Sequence, residues 1–424
     1  MSRVVLGEPA ATAVVARGTQ HREHDSRARF TNHDMDFTPS PVLERTRAEF
    51  RAWLADNLPD RSVWKKIEGN GDAAARVNFL KDWQRRVYEA RWVAVHWPSE
   101  YGGRDATLLD HLVVNEELFK ADAPPLINAH SISISGPTLL TFGTPAQKAR
   151  YLPKLLSGEE IWCLGFSEPN AGSDLASLRT RAVREGDHWV VEGQKVWTTY
   201  ANQSDFGLFL VRTNPAAPPH KGISCLIVPL RSAGLTVRPL REITGDDDFN
   251  EVFLDNVSVS AANLVGEVDG GFQVILAALG HERGTLLLVD RVRLRRRIER
   301  LLGLVRATAR SDEPTVRQQV AQLYSEVEIM KLHCFRVMSD LEQVRPPTDV
   351  SLLKLFGSEM AQRLDDFALN LQGPFAQLWS GSPRAIEGAV WQHEWLMARA
   401  LTIASGTSEV QRNTIAQRLL GLPR

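Results

Sequence analysis

Four short stretches of this chain of 424 residues concentrate the residue types that bind and react. The first is Gly165-Phe166-Ser167-Glu168-Pro169-Asn170-Ala171-Gly172-Ser173-Asp174. Its glycines and small residues let the backbone approach a bound group closely, and its amides and hydroxyls can bond to ring edges or phosphate oxygens. It is not a dinucleotide fingerprint, because no G-x-G-x-x-G follows a strand there. Taken alone, such a stretch is most often a turn. The second, Gly193-Gln194-Lys195-Val196-Trp197-Thr198-Thr199, sets an indole beside two hydroxyls. That suits a flat ring with a donor aimed at its edge, and equally an ordinary core tryptophan in a strand. The third, Leu279-Gly280-His281-Glu282-Arg283-Gly284, follows a segment from Phe272 to Leu279 that is apolar almost all round. A carboxylate buried in such a helix needs a partner or a task, whereas a Glu-Arg pair on a solvated face needs neither. The fourth runs from Thr402 to Asn413, with Gly406 and Thr407 as a helix stop and restart.

Three kinds of texture must position these stretches. From Pro41 to about Gly158 the pattern is helical, with Leu43, Phe50, Leu54 and Leu58 at spacings of four or seven, and Phe79, Trp83, Val87 and Trp92 much the same. Thr144-Pro145 is a cap followed by a proline at the first helical position. Trp97 to Gly103 is a turn-rich loop. From Ile161 to about Gly266, short runs of β-branched and aromatic residues such as His188–Val191, Phe206–Val211 and Ile223–Val228 alternate with turn residues, which suits a small sandwich or barrel. From Gly270 onward long helical segments return, over Phe272–Leu304, Val316–Val337, Pro347–Leu371 and Ser382–Ile403, and predict a bundle. The expected division is a poorly ordered tail over residues 1–34, a helical domain over 35–160, a β-domain over 161–268 and a helical bundle over 269–424. The true start is expected near Met35, in preference to a targeting peptide.

A net charge of −1 gives no basic field for nucleic acid or an anionic membrane surface. No apolar run approaches the ~20 residues of a membrane helix. Cys163, Cys225 and Cys334 are far apart and form neither a C-x-x-C pair nor a zinc set, so buried thiols in a reducing cytoplasm are expected, and no metal.

Taken together, the four stretches resemble the acyl-CoA dehydrogenase family in order, spacing and text from about Met35 to Arg424, with Phe166–Asp174 and Gly406–Arg412 as the most specific matches. The resemblance implies an α+β fold: an N-terminal helical domain, a central β-sandwich or barrel domain and a C-terminal four-helix bundle. It implies FAD as cofactor, an acyl-CoA thioester as substrate, an electron-transferring flavoprotein as acceptor, and a homo-oligomer, dimer or tetramer, with a hetero-oligomer as the other arrangement. By the same resemblance Phe166 and Ser167 contact the flavin ring, Gly172 and Ser173 lie near the FAD pyrophosphate, and Ser173 also lies near the acyl-CoA. Trp197 packs on the flavin, and Thr199 offers its hydroxyl near N5. Gln372 and Gly373 match the place where a neighbouring subunit touches the adenosine half. Thr407 and Glu409 close over the cofactor, Arg283 helps position the CoA, and Ser405 and Gly406 lie at the substrate. The implied reaction removes the weakly acidic α-proton with a carboxylate base, stabilises the enolate by hydrogen bonds, and passes the β-hydrogen as hydride to flavin N5.

The chain departs from the family pattern at the base. Many relatives carry a Glu just before the Gly-Thr of the last signature, where this chain has Ser405. A second group carries the base on the first long C-terminal helix, immediately before an arginine, and Glu282-Arg283 matches that position. Glu282 is therefore the expected base, while the Ser405 N–H can still hold the thioester oxygen. An Arg-x-x-Phe-Gly stretch is replaced by Arg291-Val-Arg-Leu-Arg-Arg-Arg297, several arginines of which read as a solvated helix face. A helix-borne base and a small residue at 405 leave room for branched or polycyclic acyl groups. Two other readings compete: a flavin oxidase or monooxygenase on the same scaffold, and an FAD-holding subunit of a heteromeric dehydrogenase.

Overall fold

Helical periodicity in the first part of the chain resolves into α1 (Pro41–Asn57), α2 (Arg61–Gly69), α3 (Ala73–Glu89), α4 (Leu108–Lys120), α5 (Ala129–Ser133), α6 (Ser135–Phe142) and α7 (Pro145–Ser157). The computed structural model describes residues 40–69, 72–342 and 350–423, and of residues 69, 279–291 and 341–342 the backbone only. The tail expected over residues 1–34 lies outside the described residues. Phe50, Leu54, Trp83 and Val87, the positions picked out by their spacing, are buried in one core. Thr144 starts α7 as its cap and Pro145 as the first helical residue: the Gln147 N–H donates to Thr144 Oγ1 (3.2 Å) and the Thr144 N–H to Gln147 Oε1 (3.0 Å).

The middle of the chain forms β1 (Trp162–Gly165), β2 (Arg181–Glu185), β3 (His188–Lys195), β4 (Phe206–Arg212), β5 (Ile223–Pro229), β6 (Leu235–Pro239), β7 (Asn250–Ser260) and β8 (Leu264–Val265). They join in the order β6-β7-β3-β2-β4-β5-β8, with β1 parallel to β4. Side chains alternate across a strand, and in β4 and β5 both sets are buried. Leu208, Leu210, Cys225 and Ile227 pack into the helical core, together with Val274, Ile275 and Ala278. Phe209, Val211, Leu226 and Val228 pack with Trp189, Val191, Val252 and Leu254 in a core inside the sheet itself. The sheet therefore curls over its own apolar face, as the sandwich or barrel expectation required. The three thiols are buried, and burial pushes those of Cys163 and Cys225 up to about 12.

The chain then enters α8 (Gly271–Ala307), α9 (Pro314–Glu342), α10 (Val350–Gln372), α11 (Val390–Leu401) and the short α12 (Ser408–Thr414). A Cβ at Gly271 would lie 2.5 Å from the carbonyl carbon of Ser224, so only glycine lets α8 start against the backbone of β5. Asp269 locks that junction: its carboxylate accepts from Thr213 Oγ1 (2.5 Å) and its N–H donates to Ser224 Oγ (2.8 Å).

Two expectations for this region need correction. The helix expected over Ser382–Ile403 begins only at Val390, because Gly381 and Pro383 interrupt the helical ladder and Glu387 and Ala389 take positive φ of 49° and 70°. The arginines of α8 are not simply a solvated face. Arg297 donates to Asp365 Oδ2 (2.8 Å) and Glu394 Oε2 (3.1 Å), and Arg300 donates to Glu394 (3.0 Å) and Glu387 (2.9 Å). These pairs tie α8 to α10 and α11. Asp365 is fully buried, and burial pushes its carboxyl up to about 7 despite the Arg297 guanidinium.

Two outcomes follow for stability. Gly271→Ala should lower stability by about 1–3 kcal/mol, as overpacking does, measured by denaturant unfolding. Asp365 holds a proton in the folded state that the unfolded chain has lost from about pH 4 upward. Stability from this group thus falls as pH rises toward 7. The melting temperature of Asp365→Asn relative to the parent should accordingly rise between pH 5 and pH 8, and a flat difference contradicts the assignment.

Candidate functional site

Strand β1 is placed from both sides. The Trp162 N–H donates to Asn128 Oδ1 (3.1 Å), the Trp162 carbonyl accepts from Ser131 Oγ (2.8 Å), and β1 lies parallel to β4 with Gly165 opposite Phe209. It delivers the stretch Phe166–Asp174 to the end of β3. There the Phe166 carbonyl accepts from Lys195 Nζ (3.2 Å) and the Ser167 carbonyl from the Val196 N–H (3.0 Å). Glu168 and Ala171 exchange both backbone hydrogen bonds, closing the loop on itself.

Under that loop lies a buried ion pair. Lys195 is fully buried and Glu168 nearly so, with Nζ to Oε1 at 2.7 Å. The Glu168 carboxylate also accepts from the Arg179 N–H (2.6 Å) and the Thr180 N–H (2.9 Å). These donors and the Lys195 ammonium outweigh burial and hold its carboxyl below the usual range. Burial lowers the Lys195 ammonium to about 8, so both groups are ionised at neutral pH. Neither residue was singled out in the sequence. The signal was there: the inward alternation of Trp189 and Val191 along β3 runs on to position 195, and a lysine on a dry face must have a partner.

Immediately beyond Lys195 the backbone turns. Trp197 sits at φ 60° and Tyr200 at φ 56°, both left-handed. The Thr198 N–H donates to the Asn250 carbonyl and the Asn250 N–H to the Thr198 carbonyl, each at 3.1 Å, which anchors the turn to β7. The Trp197 indole is 61% exposed, touching Phe249 edge-on at 5.9 Å. A large aromatic ring shown to solvent from a strained backbone marks a surface built to be covered. Nearby along the chain and in the loop that Val196 holds, the hydroxyls of Thr199, Ser167 and Ser173 make no hydrogen bond to another described residue, and the space about Gly172 is open. An exposed apolar plate with unspent donors in the adjoining segments fits the flavin and pyrophosphate of FAD. The structure thus brings Phe166, Ser167, Gly172, Ser173, Trp197 and Thr199 into one region.

The remaining expected residues are organised by α10. At one end Lys354, itself buried, donates to the Gly406 carbonyl (2.6 Å), while Gln411 donates to the Ser405 carbonyl (2.9 Å). Ser405 and Gly406 take φ of 54° and 88°, the helix stop read from the sequence, and Thr407 caps α12 through Val410 N–H (3.2 Å). Its hydroxyl is thereby engaged within the chain. Glu409 is exposed in the first turn of α12. At the other end of α10, ~27 Å away at 1.5 Å per residue, are Gln372 and Gly373. Gln372 is buried, with Oε1 accepting from Gln392 (3.0 Å), whereas Gly373 is exposed at φ 56° with open space around it. Glu282 and Arg283 fall on α8, but their side chains lie outside the described residues.

A cleft of about 610 Å³ between α2, α4, α8 and α9 is a different place, and its charges are spent on one another. Arg61 and Arg296 both hold Asp122 at 2.6 Å, and Arg295 holds Glu328 at 2.7 Å. Among the described residues no helix is long and apolar enough to cross a membrane, and no group of three or more His, Cys, Asp or Glu could hold a metal ion.

Residues 41–159, 163–257 and 269–420 match the family models described as the N-terminal, middle and C-terminal domains of acyl-CoA dehydrogenase. The chain is 37% identical to acyl-CoA dehydrogenase IpdE1 of Mycobacterium tuberculosis over 384 residues, which cover 90% of this chain and 98% of that protein. Among solved structures it is similar to the Tcur3481-Tcur3483 steroid ACAD (TM-score 0.81, 31% identity, covering 92% of this chain and 100% of that one). It is also similar to a chain of the ChsE4-ChsE5 complex from Mycobacterium tuberculosis (TM-score 0.77, 31% identity, the same coverage).

Trp197 gives a direct test of the site. Trp197→Gly removes a left-handed non-glycine residue, whose strain is roughly 1–2 kcal/mol, and gives up an exposed ring. The apoprotein should melt no lower than the parent, yet FAD affinity should fall by about tenfold or more, which is about 1.4 kcal/mol. Titration of the apoprotein with FAD reads this out, and an unchanged affinity argues against an indole-lined site.

Proposed function

Because the chain belongs to the acyl-CoA dehydrogenase family, whose FAD-dependent oxidoreductase activity it shares, we propose that Glu282 is its catalytic base and that it desaturates a bulky, ring-containing acyl-CoA. The observation that carries the site reading is the exposed Trp197 indole with the unpartnered hydroxyls of Ser167, Ser173 and Thr199 in the adjoining segments. FAD, once bound there, supplies the acceptor for the β-hydrogen. Trp197 covers one side of the ring, Thr199 offers a donor at its edge, and Phe166, Ser167, Gly172 and Ser173 hold the ring and the phosphates.

Glu282 takes the α-proton. Helical spacing puts position 282 one turn beyond Ala278 on the stripe that Val274 begins, and both of those residues are buried. A general base works best with a pKa near the working pH. A serine hydroxyl does not by itself take a proton from carbon at neutral pH, so position 405 serves through its backbone: the Ser405 N–H, with Gly406 beside it, holds the thioester oxygen as charge develops. Arg283 positions the CoA, Thr407 and Glu409 close over the cofactor, and Gly373, with Gln372 behind it, meets the adenosine half held by a neighbouring chain. The acceptor is an electron-transferring flavoprotein. The small residue at 405 and the likeness to a steroid ACAD support a polycyclic acyl group.

The likeness to a chain of the ChsE4-ChsE5 complex favours a second reading, in which this chain is one subunit of a hetero-oligomer and the partner carries the base. The purified chain alone separates the two. If it binds FAD and its flavin bleaches anaerobically with an acyl-CoA, no partner is needed.

The decisive measurement is anaerobic flavin reduction against a panel of short, long, branched and steroid-like acyl-CoA thioesters. Glu282→Gln should keep FAD and lose at least about a hundredfold in bleaching rate, the lower end of general-base effects, while Ser405→Ala stays active. Equal bleaching by Glu282→Gln and the parent rejects the base.

A further inference from the structure

Lys195 and Glu168 have no part in the chemistry proposed above, yet they form a buried ion pair beneath the loop that carries Ser167. Such a pair is poor value as a source of stability, since desolvating two charges offsets most of their attraction. Its geometry is more informative. Lys195 ends β3, the strand that leads into Trp197, and Glu168 follows Phe166 and Ser167 in the loop from β1. The Lys195 ammonium touches both the Glu168 carboxylate (2.7 Å) and the Phe166 carbonyl (3.2 Å). A trans peptide is planar with its C=O and N–H on opposite sides, and no cis bond occurs among the described residues. Drawing the Phe166 carbonyl toward Lys195 therefore turns the Ser167 N–H the other way, and that N–H makes no hydrogen bond to a described residue.

We infer that the Lys195–Glu168 pair is a positioning device: it fixes the Phe166–Ser167 peptide so that the Ser167 amide and hydroxyl face the flavin at a set spacing from Trp197 and Thr199. The inference rests on the FAD site proposed above. Glu168 anchors the latch on the opposite side through the Arg179 and Thr180 amides, so the loop cannot move without breaking charge-assisted hydrogen bonds in a dry environment. Arg212 stands near enough to act on both charges, but its guanidinium is spent on the carbonyls of Ala176, Leu178 and Pro219, which leaves the pair to each other.

The test compares Lys195→Met, which keeps the length of the side chain and removes its charge, with Glu160→Gln, which weakens a half-buried ion pair to Arg150 away from the site. FAD affinity of the full-length apoprotein, the visible circular dichroism of the bound flavin and the melting temperature are measured for both and for the parent. Lys195→Met should bind FAD roughly tenfold or more weakly, about 1.4 kcal/mol, with an altered flavin dichroism band. Glu160→Gln should lose melting temperature only. Should Lys195→Met not fold, Glu168→Gln carries the same test, because it keeps an acceptor for one backbone amide and leaves the ammonium without its counter-charge. A variant whose FAD affinity and flavin spectrum equal the parent's, whatever its melting temperature, overturns the positioning role and leaves the FAD site standing. A parent chain that takes up no FAD overturns both.

Discussion

Strands β4 and β5 are dry on both faces, and the loop Phe166–Asp174 and the start of α8 hang from them. One face completes the core inside the curled sheet and the other completes the core of the N-terminal helices. A strand pair enclosed in this way has no freedom of register, because a slip by one residue exchanges two sets of close-packed side chains. Its neighbours inherit that precision. Strand β1 pairs with β4 and ends in the loop that carries Ser167. Helix α8 begins against the backbone of β5, at a glycine whose replacement would collide with Ser224. The loop and the helix leave the sheet from one rigid origin, so the distance between their starting points is set by the sheet.

Cations at least partly withdrawn from water carry out the finer adjustment, two lysines by holding a turn and an arginine by tying helices together. Lys195 binds the Phe166 carbonyl and Glu168, Lys354 binds the Gly406 carbonyl, and Arg297 binds Asp365 and Glu394. Turns with exposed hydroxyls and left-handed residues cannot be held by apolar packing alone, since their backbone polar groups need partners wherever they leave water. The cost of burying a lysine is offset by fixing a turn in a single conformation. The left-handed residues Trp197 and Ser405–Gly406 stand within a few residues of a lysine-held group.

Sequence alone determined much of this protein. The α–β–α order was legible because the apolar period changes from about 3.6 to 2 and back, and because Thr144-Pro145 and Gly406-Thr407 are start and stop signals whose physics is local. The candidate flavin residues were legible because the loop Phe166–Asp174 and the turn Trp197–Thr199 carry types that do chemistry, and the family resemblance ordered them. Tertiary structure decided what sequence could not. It joined Glu168 to Lys195 across 27 positions, turned Gln372 inward onto Gln392, and engaged the arginines of α8 with α10 and α11. It also delayed the start of the expected last long helix to Val390, past the left-handed Glu387 and Ala389. The physical reason is the same in each case. A local signal depends on neighbours along the chain, whereas the fate of a buried charge or amide depends on which distant partner the packing of β4, β5 and the helices brings within hydrogen-bonding reach.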